Sequence, residues 1–194
     1  MERSSSHPRL PLFGGIAITL FVVDQITKLM AVDRLAPVYV PREVFGDAVR
    51  FTLVYNPGAA FGLHFGTYSR EIFTALTLGA LVLLYRLYRE SQARDLARVI
   101  AIALVTGGAL GNLLDRLRSV RGVVDFVDIG IGTSRWPTFN VADMGISCGA
   151  ILLAVVLWRE DTRSAAERNA TAAVTAEPTP TNGTSTPADA PLQH

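Results

Sequence analysis

Four long apolar segments constrain this chain more than any other feature of its sequence. They run from about Leu10 to Val32, Ile72 to Tyr88, Val99 to Leu117 and Phe139 to Trp158. Each holds about 17–23 residues, the length that a helix needs to cross a hydrocarbon core of about 30 Å. Hydrophobic residues make up 49% of the 194-residue chain. The sequence therefore predicts an all-α membrane protein with four transmembrane helices.

Charge and composition exclude several classes of function. The net charge of +1 gives no electrostatic support for nucleic-acid binding. The single cysteine, Cys148, permits no intramolecular disulfide bond. The sequence contains no HExxH stretch, and none of its histidines has an evident metal-binding partner. We therefore expect neither a metal site nor a cofactor.

Basic residues predict how the chain crosses the membrane. They lie in the lead-in of residues 1–9, in the second loop and after the fourth helix: Arg3, Arg9, Arg86, Arg89, Arg94, Arg98, Arg159, Arg163 and Arg168. By the positive-inside rule these regions are cytoplasmic, so both termini lie inside and the first and third loops lie outside. Arg118, Arg121 and Arg135 in the third loop oppose this orientation.

The segments outside the helices divide into a structured outer loop and a polar tail. Residues 36–56 partly alternate apolar and polar types around Gly46-Asp47, which predicts a small extracytoplasmic β element. The stretch NPGAAFGLHFG that follows predicts a tightly packed segment. Residues 159–194 are rich in Ala, Thr and Pro and predict a disordered cytoplasmic tail after a membrane domain of residues 10–158.

Several polar residues lie within or beside the apolar segments, where they are costly unless they are paired. Asp24 and Lys28 are four positions apart on the first helix and share a face, so we expect them to form an ion pair. They fit a proton or ion relay, or a structural link between helices. Asn112 and Asp115 share a face at the outer end of the third helix, beside Arg116.

Two aspartates near the fourth helix suggest a chemistry. Asn140 and Asp143 share a face at the start of that helix, where an aspartate is also an ordinary capping residue. If the third and fourth helices are neighbours, the loop that carries Asp125 folds back over their outer ends. Asp125 and Asp143 then share one proton and activate water, as in aspartyl proteases. Asp128 close by is an alternative loop carboxylate.

The polar stretches, taken together, resemble those of lipoprotein signal peptidase, the type II signal peptidase of bacteria. The similar stretches are VDQITK, YNPGAAFGL, GGALGNLLDRL, GVVDF and FNVADMGI, and they span about residues 10–158. The resemblance implies a four-helix membrane aspartyl protease of the bacterial cytoplasmic (inner) membrane, with its active site near the outer face. The implied substrates are diacylglyceryl-modified prolipoproteins, cut just before the lipid-bearing cysteine. It also implies contact with membrane lipids and inhibition by cyclic peptide antibiotics such as globomycin.

The resemblance assigns roles to individual residues. Asp125 and Asp143 correspond to the catalytic pair. The positions that line the site and bind substrate are Asn56, Asn112, Arg116 and Asn140. The positions that give structural support are Asp24, Lys28 and Asp115. The family's outer β-cradle agrees with the strands expected in residues 36–56.

Two other functions are compatible with four apolar helices. An ion- or proton-coupled transporter would use Asp24, Lys28, Asp115 and Asp143 as a relay. A membrane scaffold without enzymatic activity would use the polar residues to hold helices together. Neither alternative explains why the polar residues gather at the outer ends of the helices.

Overall fold

The computed structural model describes residues 9–58, 66–92 and 95–175. In this part of the chain, four helices are long and apolar enough to cross a membrane. They are α1 (Leu10–Arg34), α2 (Ser69–Glu90), α3 (Leu96–Arg118) and α4 (Val141–Thr175). The prediction of four transmembrane helices is confirmed, and the bounds differ from the apolar segments mainly at the end of α4.

An antiparallel sheet accompanies the helices. Its strands are β1 (Arg42–Phe45), β2 (Val49–Asn56), β3 (Val123–Ile131) and β4 (Ser134–Arg135), in the spatial order β1-β2-β3-β4. The expected β element in residues 36–56 is confirmed as the β1–β2 hairpin. A short 3-10 turn, Gly66–Tyr68, precedes α2.

Strand β3 corrects the expectation that Asp125 lies on a loop. Val49 pairs with Ile129 and Asn56 pairs with Val123, so β3 lies along the full length of β2. The stretch VVDFV is rich in the β-branched and aromatic residues that favour strands. The partner strand β2 is distant along the chain, so the pairing itself has no local signal in the sequence.

Helix α3 packs against both α1 and α4, and glycine residues allow this close packing. A Cβ placed on Gly107 would meet the backbone of Ala17 on α1, and one on Gly108 would meet the carbonyl of Ala142 on α4. Glycine allows the helix backbones to approach more closely than any larger residue would. The polar end of α3 is thereby brought against the start of α4.

The sheet is attached to the helices by an apolar cluster. Leu53 on β2 and Val124 and Phe126 on β3 pack against Ala31 and Leu35 at the end of α1. Each of these side chains is at most 9% exposed. The sheet therefore lies where α1 and α3 end and α4 begins, at the same end of the helical bundle as the polar residues.

The chain after residue 158 differs in part from the disorder expected of residues 159–194. Helix α4 continues to Thr175. The stretch RSAAERNATAAV consists largely of good helix formers, and the first proline of the tail is Pro178. Residues 176–194, and residues 59–65 of the stretch expected to pack tightly, lie outside the described part of the chain.

Candidate active site

Asp125 is buried on β3 and held from both sides. Its side chain receives hydrogen bonds on Oδ1 from Asn140 Nδ2 at 2.7 Å and on Oδ2 from Asn56 Nδ2 at 3.2 Å. Asn56 ends β2, and the register that pairs Val54 with Asp125 sets the two side chains close together. The backbone N–H of Gly58 donates to Asn56 Oδ1 at 3.0 Å, which orients the amide.

Asp143 lies in the first turn of α4 and takes part in a reciprocal cap. The backbone N–H of Asn140 donates to Asp143 Oδ2 at 3.1 Å, and the backbone N–H of Asp143 donates to Asn140 Oδ1 at 2.9 Å. This is the geometry of a capping box, which satisfies N–H groups at the start of a helix. Asp143 Oδ1 also accepts a hydrogen bond from Asn112 Nδ2 at 2.8 Å.

Asn140 brings the two carboxylates together. Its side chain is fully buried, with Oδ1 directed to the backbone of Asp143 and Nδ2 directed to Asp125. The same Nδ2 lies 3.2 Å from both Asn112 Oδ1 and the carbonyl oxygen of Val124. Asn140 therefore links the two aspartates, because its side-chain amide donates to the Asp125 carboxylate and its backbone N–H donates to the Asp143 carboxylate.

Lys28 forms the centre of a second polar layer behind this pair. Its ammonium group lies 2.8 Å from carboxylate oxygens of Asp24 and of Asp115, and it donates to Asn112 Oδ1 at 2.8 Å. These acceptors match the three N–H groups of a lysine ammonium. The expected Asp24–Lys28 ion pair is confirmed, and its burial within a satisfied network favours the structural link over an ion relay.

Arg116 lies at the edge of this cluster. Its guanidinium carbon is 5.8 Å from the centroid of the Phe73 ring, and its Nε is buried without a hydrogen-bond partner in the described part of the chain. The side chain lines a groove of about 350 Å³ between α2 and α3. The other lining residues are Arg70, Glu71, Thr74, Ala75, Leu78 and Leu117. Arg116 thus borders the groove, while its Nε is enclosed by the protein.

Asp128 lies in a different environment from Asp125. It accepts hydrogen bonds from Thr52 Oγ1 at 3.1 Å and from Arg135 Nε at 2.9 Å. Arg135 also donates to the Asp128 backbone carbonyl. The alternation of side chains along β3 points the two aspartates differently, and Asp128 forms an ion pair within the sheet.

Burial raises the pKa of the Asp125 carboxyl to about 7, and the negative charge of Asp143 contributes to this raised pKa. The hydrogen bonds from Asn56 and Asn140 and the charge of Lys28 oppose the shift without cancelling it. Asp125 therefore holds a proton at a pH at which an ordinary aspartate has lost it.

This raised pKa predicts that the protein is less stable at neutral pH than at mildly acidic pH. The unfolded chain loses the Asp125 proton near pH 4, whereas the folded chain keeps it to about pH 7. Between these values the folded state binds more protons, so the free energy of unfolding falls as pH rises and levels off above about 7. We expect the melting midpoint in detergent to follow this trend, and Asp125→Asn to flatten it. An unchanged slope in Asp125→Asn would contradict the prediction.

Two contacts of the site have no signal in the sequence. The backbone N–H of Ala142 donates to Asp24 Oδ1 at 2.9 Å, and that of Val124 donates to Asp115 Oδ2 at 3.3 Å. The first joins residues 118 positions apart and the second joins residues nine positions apart, and in both the donor is a backbone group, which carries no residue-type signal. Within the described residues, no group of three or more His, Cys, Asp or Glu side chains is placed to hold a metal ion.

Comparison with known proteins identifies the family. The family model for signal peptidase (SPase) II matches residues 16–159, which include both aspartates and the whole polar cluster. The chain belongs to the signal peptidase II family. A lipoprotein signal peptidase of Burkholderia mallei is 41% identical over 157 residues, which cover 79% of this chain and 90% of the relative. One from Rhodococcus jostii is 40% identical over 156 residues, 78% of this chain and 74% of the relative.

Solved structures agree with this assignment to the signal peptidase II family. A bacterial membrane enzyme determined by the in meso method at 2.3 Å resolution superposes with a TM-score of 0.70 at 30% identity. The match covers 80% of this chain and 92% of that one. A second, at 1.9 Å resolution, gives a TM-score of 0.66 at 31% identity over 77% of this chain and 94% of that one.

Membership of the signal peptidase II family places this protein among proteases that remove signal peptides from prolipoproteins. Its four apolar helices make it a multi-pass membrane protein. The family assignment therefore confirms the predicted class of enzyme and substrate, and the scaffold and transporter alternatives lose their support.

Proposed function

We propose that Asp125 and Asp143 are the catalytic pair of an aspartyl endopeptidase that cuts diacylglyceryl-modified prolipoproteins just before the lipid-bearing cysteine. The observation that supports this proposal most is that Asn140 donates to both carboxylates, to Asp125 through its side-chain amide and to Asp143 through its backbone N–H. The charge of Asp143 contributes to the raised pKa of Asp125, and two buried acidic groups that interact in this way favour a state in which they share one proton. That state supplies an acid and a base at the same pH.

The reaction uses the two carboxyl groups in turn. Ionised Asp143 takes a proton from a water molecule, whose oxygen attacks the scissile carbonyl carbon, while protonated Asp125 gives its proton to the carbonyl oxygen. The tetrahedral intermediate then collapses. The C–N bond breaks, the departing nitrogen receives the proton from Asp143, and the hydroxyl proton returns to Asp125. The free carboxylate and amine of the products leave, and the pair is restored.

Different starting roles follow from the surroundings of the two groups. Asp125 has its pKa raised to about 7 and so holds the shared proton near neutral pH. Asp143 lies in the first turn of α4, where the helix dipole favours a negative charge. Because the pair titrates as a unit, these are roles at the start of the cycle rather than fixed charges.

The four residues expected to bind substrate divide into two groups. Asn112 and Asn140 direct their amide groups to the carboxylates and to each other, so we propose that they act mainly by orienting the pair. Arg116 lines the groove beside α2, so we propose that its guanidinium group binds a substrate carbonyl there. Asn56 ends β2 and donates to the Asp125 carboxylate. We propose that it also binds the substrate backbone, on the side of the catalytic pair away from Arg116.

The lipid on the substrate supplies much of its affinity. Each methylene that remains in the bilayer contributes about 0.8 kcal/mol, so two acyl chains hold the peptide at the membrane surface. The basic residues of the second loop and of the C-terminal flank support a cytoplasmic location of both termini by the positive-inside rule. The catalytic pair then lies near the outer face of the bacterial inner membrane, where a cyclic peptide antibiotic such as globomycin would compete with substrate.

A cleavage assay tests this proposal. We expect the purified protein to cut a diacylglyceryl-modified prolipoprotein peptide and to leave the unmodified peptide essentially intact. Mass spectrometry of the product should find the lipid-bearing cysteine at its new N-terminus, and globomycin should inhibit the reaction. Cleavage at another bond, or equal cleavage of both peptides, would contradict the proposed specificity. Ion flux in vesicles that is lost on changing Asp24 or Lys28 would instead favour a transporter.

A further inference from the structure

The polar layer behind the catalytic pair has a regular construction. Asp24 accepts the backbone N–H of Ala142, the residue just before Asp143. Asp115 accepts the backbone N–H of Val124, the residue just before Asp125. Each proposed catalytic aspartate therefore has its preceding residue held by another carboxylate.

One ammonium group joins these two carboxylates. Lys28 Nζ lies 2.8 Å from Asp24 Oδ2 and 2.8 Å from Asp115 Oδ2. Its third hydrogen bond goes to Asn112 Oδ1 at 2.8 Å, which turns Asn112 Nδ2 toward Asp143. Lys28 is thus connected through Asp115 to the backbone before Asp125 and through Asp24 to the backbone before Asp143. Through Asn112 it is connected to the side chain of Asp143.

We propose that Lys28 is a positioning residue that sets the separation of the two catalytic carboxylates. It draws Asp24 and Asp115 toward one point, and these in turn fix the start of α4 and the start of β3. This inference rests on the proposed function, because it concerns the geometry of the same catalytic pair. Lys28 touches neither the reacting carboxyl oxygens nor the position of the substrate in this scheme.

Burial makes the arrangement stiff. The Lys28 side chain is 4% exposed and that of Asp24 is 0% exposed, so water does not compete for their hydrogen bonds. Gly111 leaves room for the Asp24 carboxylate, since a Cβ at that position would collide with Asp24 Oδ2. A charge-assisted network in a site of low dielectric constant resists displacement more than a single neutral hydrogen bond does.

The central test compares Lys28→Met with wild type in the cleavage assay. Methionine has a similar length and no N–H group in its side chain, so it fills the space without joining Asp24 to Asp115. We expect kcat to fall about 10- to 100-fold with KM nearly unchanged, because a displacement of about 1 Å at the reacting groups has an effect of this size. A folded Lys28→Met protein with kcat within about twofold of wild type would overturn the proposal.

Lys28→Met leaves two buried carboxylates without their cation, and this variant is at risk of not folding. The double variant Lys28→Met/Asp24→Asn has the same net charge as wild type, and the amide oxygen that it introduces at position 24 still accepts the Ala142 N–H. We expect it to fold and to show the same loss of kcat. Wild-type kcat in the double variant would overturn the proposal whether or not the single variant folds.

A matched control separates positioning from general stability. The Asp128–Arg135 ion pair lies in the same sheet as Asp125, but it is not hydrogen-bonded to either catalytic carboxylate. Asp128→Asn/Arg135→Gln should lower the melting midpoint as the Lys28 variants do, yet keep kcat near wild type well below that midpoint. An equal loss of kcat in this control would reduce Lys28 to a stabilising role. Because wild type and the control are assayed in parallel, failure of this inference is distinct from failure of the proposed protease activity.

Discussion

Replacing either Asp125 or Asp143 with asparagine should reduce cleavage of a diacylglyceryl-modified prolipoprotein by at least about 10³-fold. Asparagine cannot take a proton from water, nor can it give one to the carbonyl oxygen of the substrate. Each substitution removes one half of the shared acid–base pair, and its partner cannot perform both proton transfers. Single-turnover measurements with enzyme in saturating excess over substrate would report the loss in the chemical step rather than in product release.

The two asparagine variants should remain folded. In Asp143→Asn, the new side chain keeps an oxygen that accepts the backbone N–H of Asn140, so the reciprocal cap at the start of α4 survives. In Asp125→Asn, the new amide oxygen still accepts the hydrogen bond from Asn140 Nδ2. We expect both variants to bind lipidated substrate. Binding would be measured as the rise in the melting midpoint of the protein when the substrate is added.

Asp128→Asn is the control for this experiment, and its effect on stability must be measured alongside its effect on cleavage. Asp128 is buried and paired with Arg135, so its loss should weaken the sheet while leaving the catalytic pair in place. Its turnover, measured well below its melting midpoint, should stay close to wild type. Strong cleavage by Asp125→Asn or Asp143→Asn would refute the proposed catalytic pair. Loss of cleavage only in Asp128→Asn would instead assign a catalytic role to Asp128.

The sequence is sufficient to predict what depends on spacing along one helix. Asp24 and Lys28 are four residues apart, and Asn140 and Asp143 are three apart, so each pair shares a face and interacts in the structure. The four spans follow in the same way from length and hydropathy. The paired residues lie within about one turn of each other, and each span depends only on its own residues. Neither prediction needs information from distant parts of the chain.

The contacts that create the site join distant segments and could not be predicted in this way. The pairing of Val54 with Asp125 depends on a register between β2 and β3 that no local pattern specifies. The hydrogen bond from the Ala142 N–H to Asp24 joins α4 to α1 across 118 residues of sequence, so it depends on how the helices pack. From the sequence, the approach of Asp125 to Asp143 was conditional on the third and fourth helices being neighbours, and the family resemblance supplied their assignment as the catalytic pair.

Adding a single methyl group at Gly108 should destabilise the protein by roughly 3 kcal/mol or more, a large effect for the smallest possible side chain. In the middle of an exposed helix, Gly→Ala is stabilising by about 0.5–1 kcal/mol, because alanine loses less backbone entropy on folding. At Gly108 the new Cβ would overlap the carbonyl oxygen of Ala142 and press on Ile146. A backbone atom cannot rotate away, so α3 and α4 must separate.

This separation would act directly on the catalytic pair. Asn112, one turn after Gly108 on α3, holds Asp143 on α4 with a hydrogen bond of 2.8 Å. Gly108→Ala should therefore lower both the melting midpoint in detergent and kcat. Gly79→Ala on α2 is the matched control, because a Cβ there meets nothing within 4 Å, and it should be neutral or slightly stabilising. If the two variants melt alike, then the contact between α3 and α4 is looser than this structure shows, and close packing of these helices is not what brings Asn112 to Asp143.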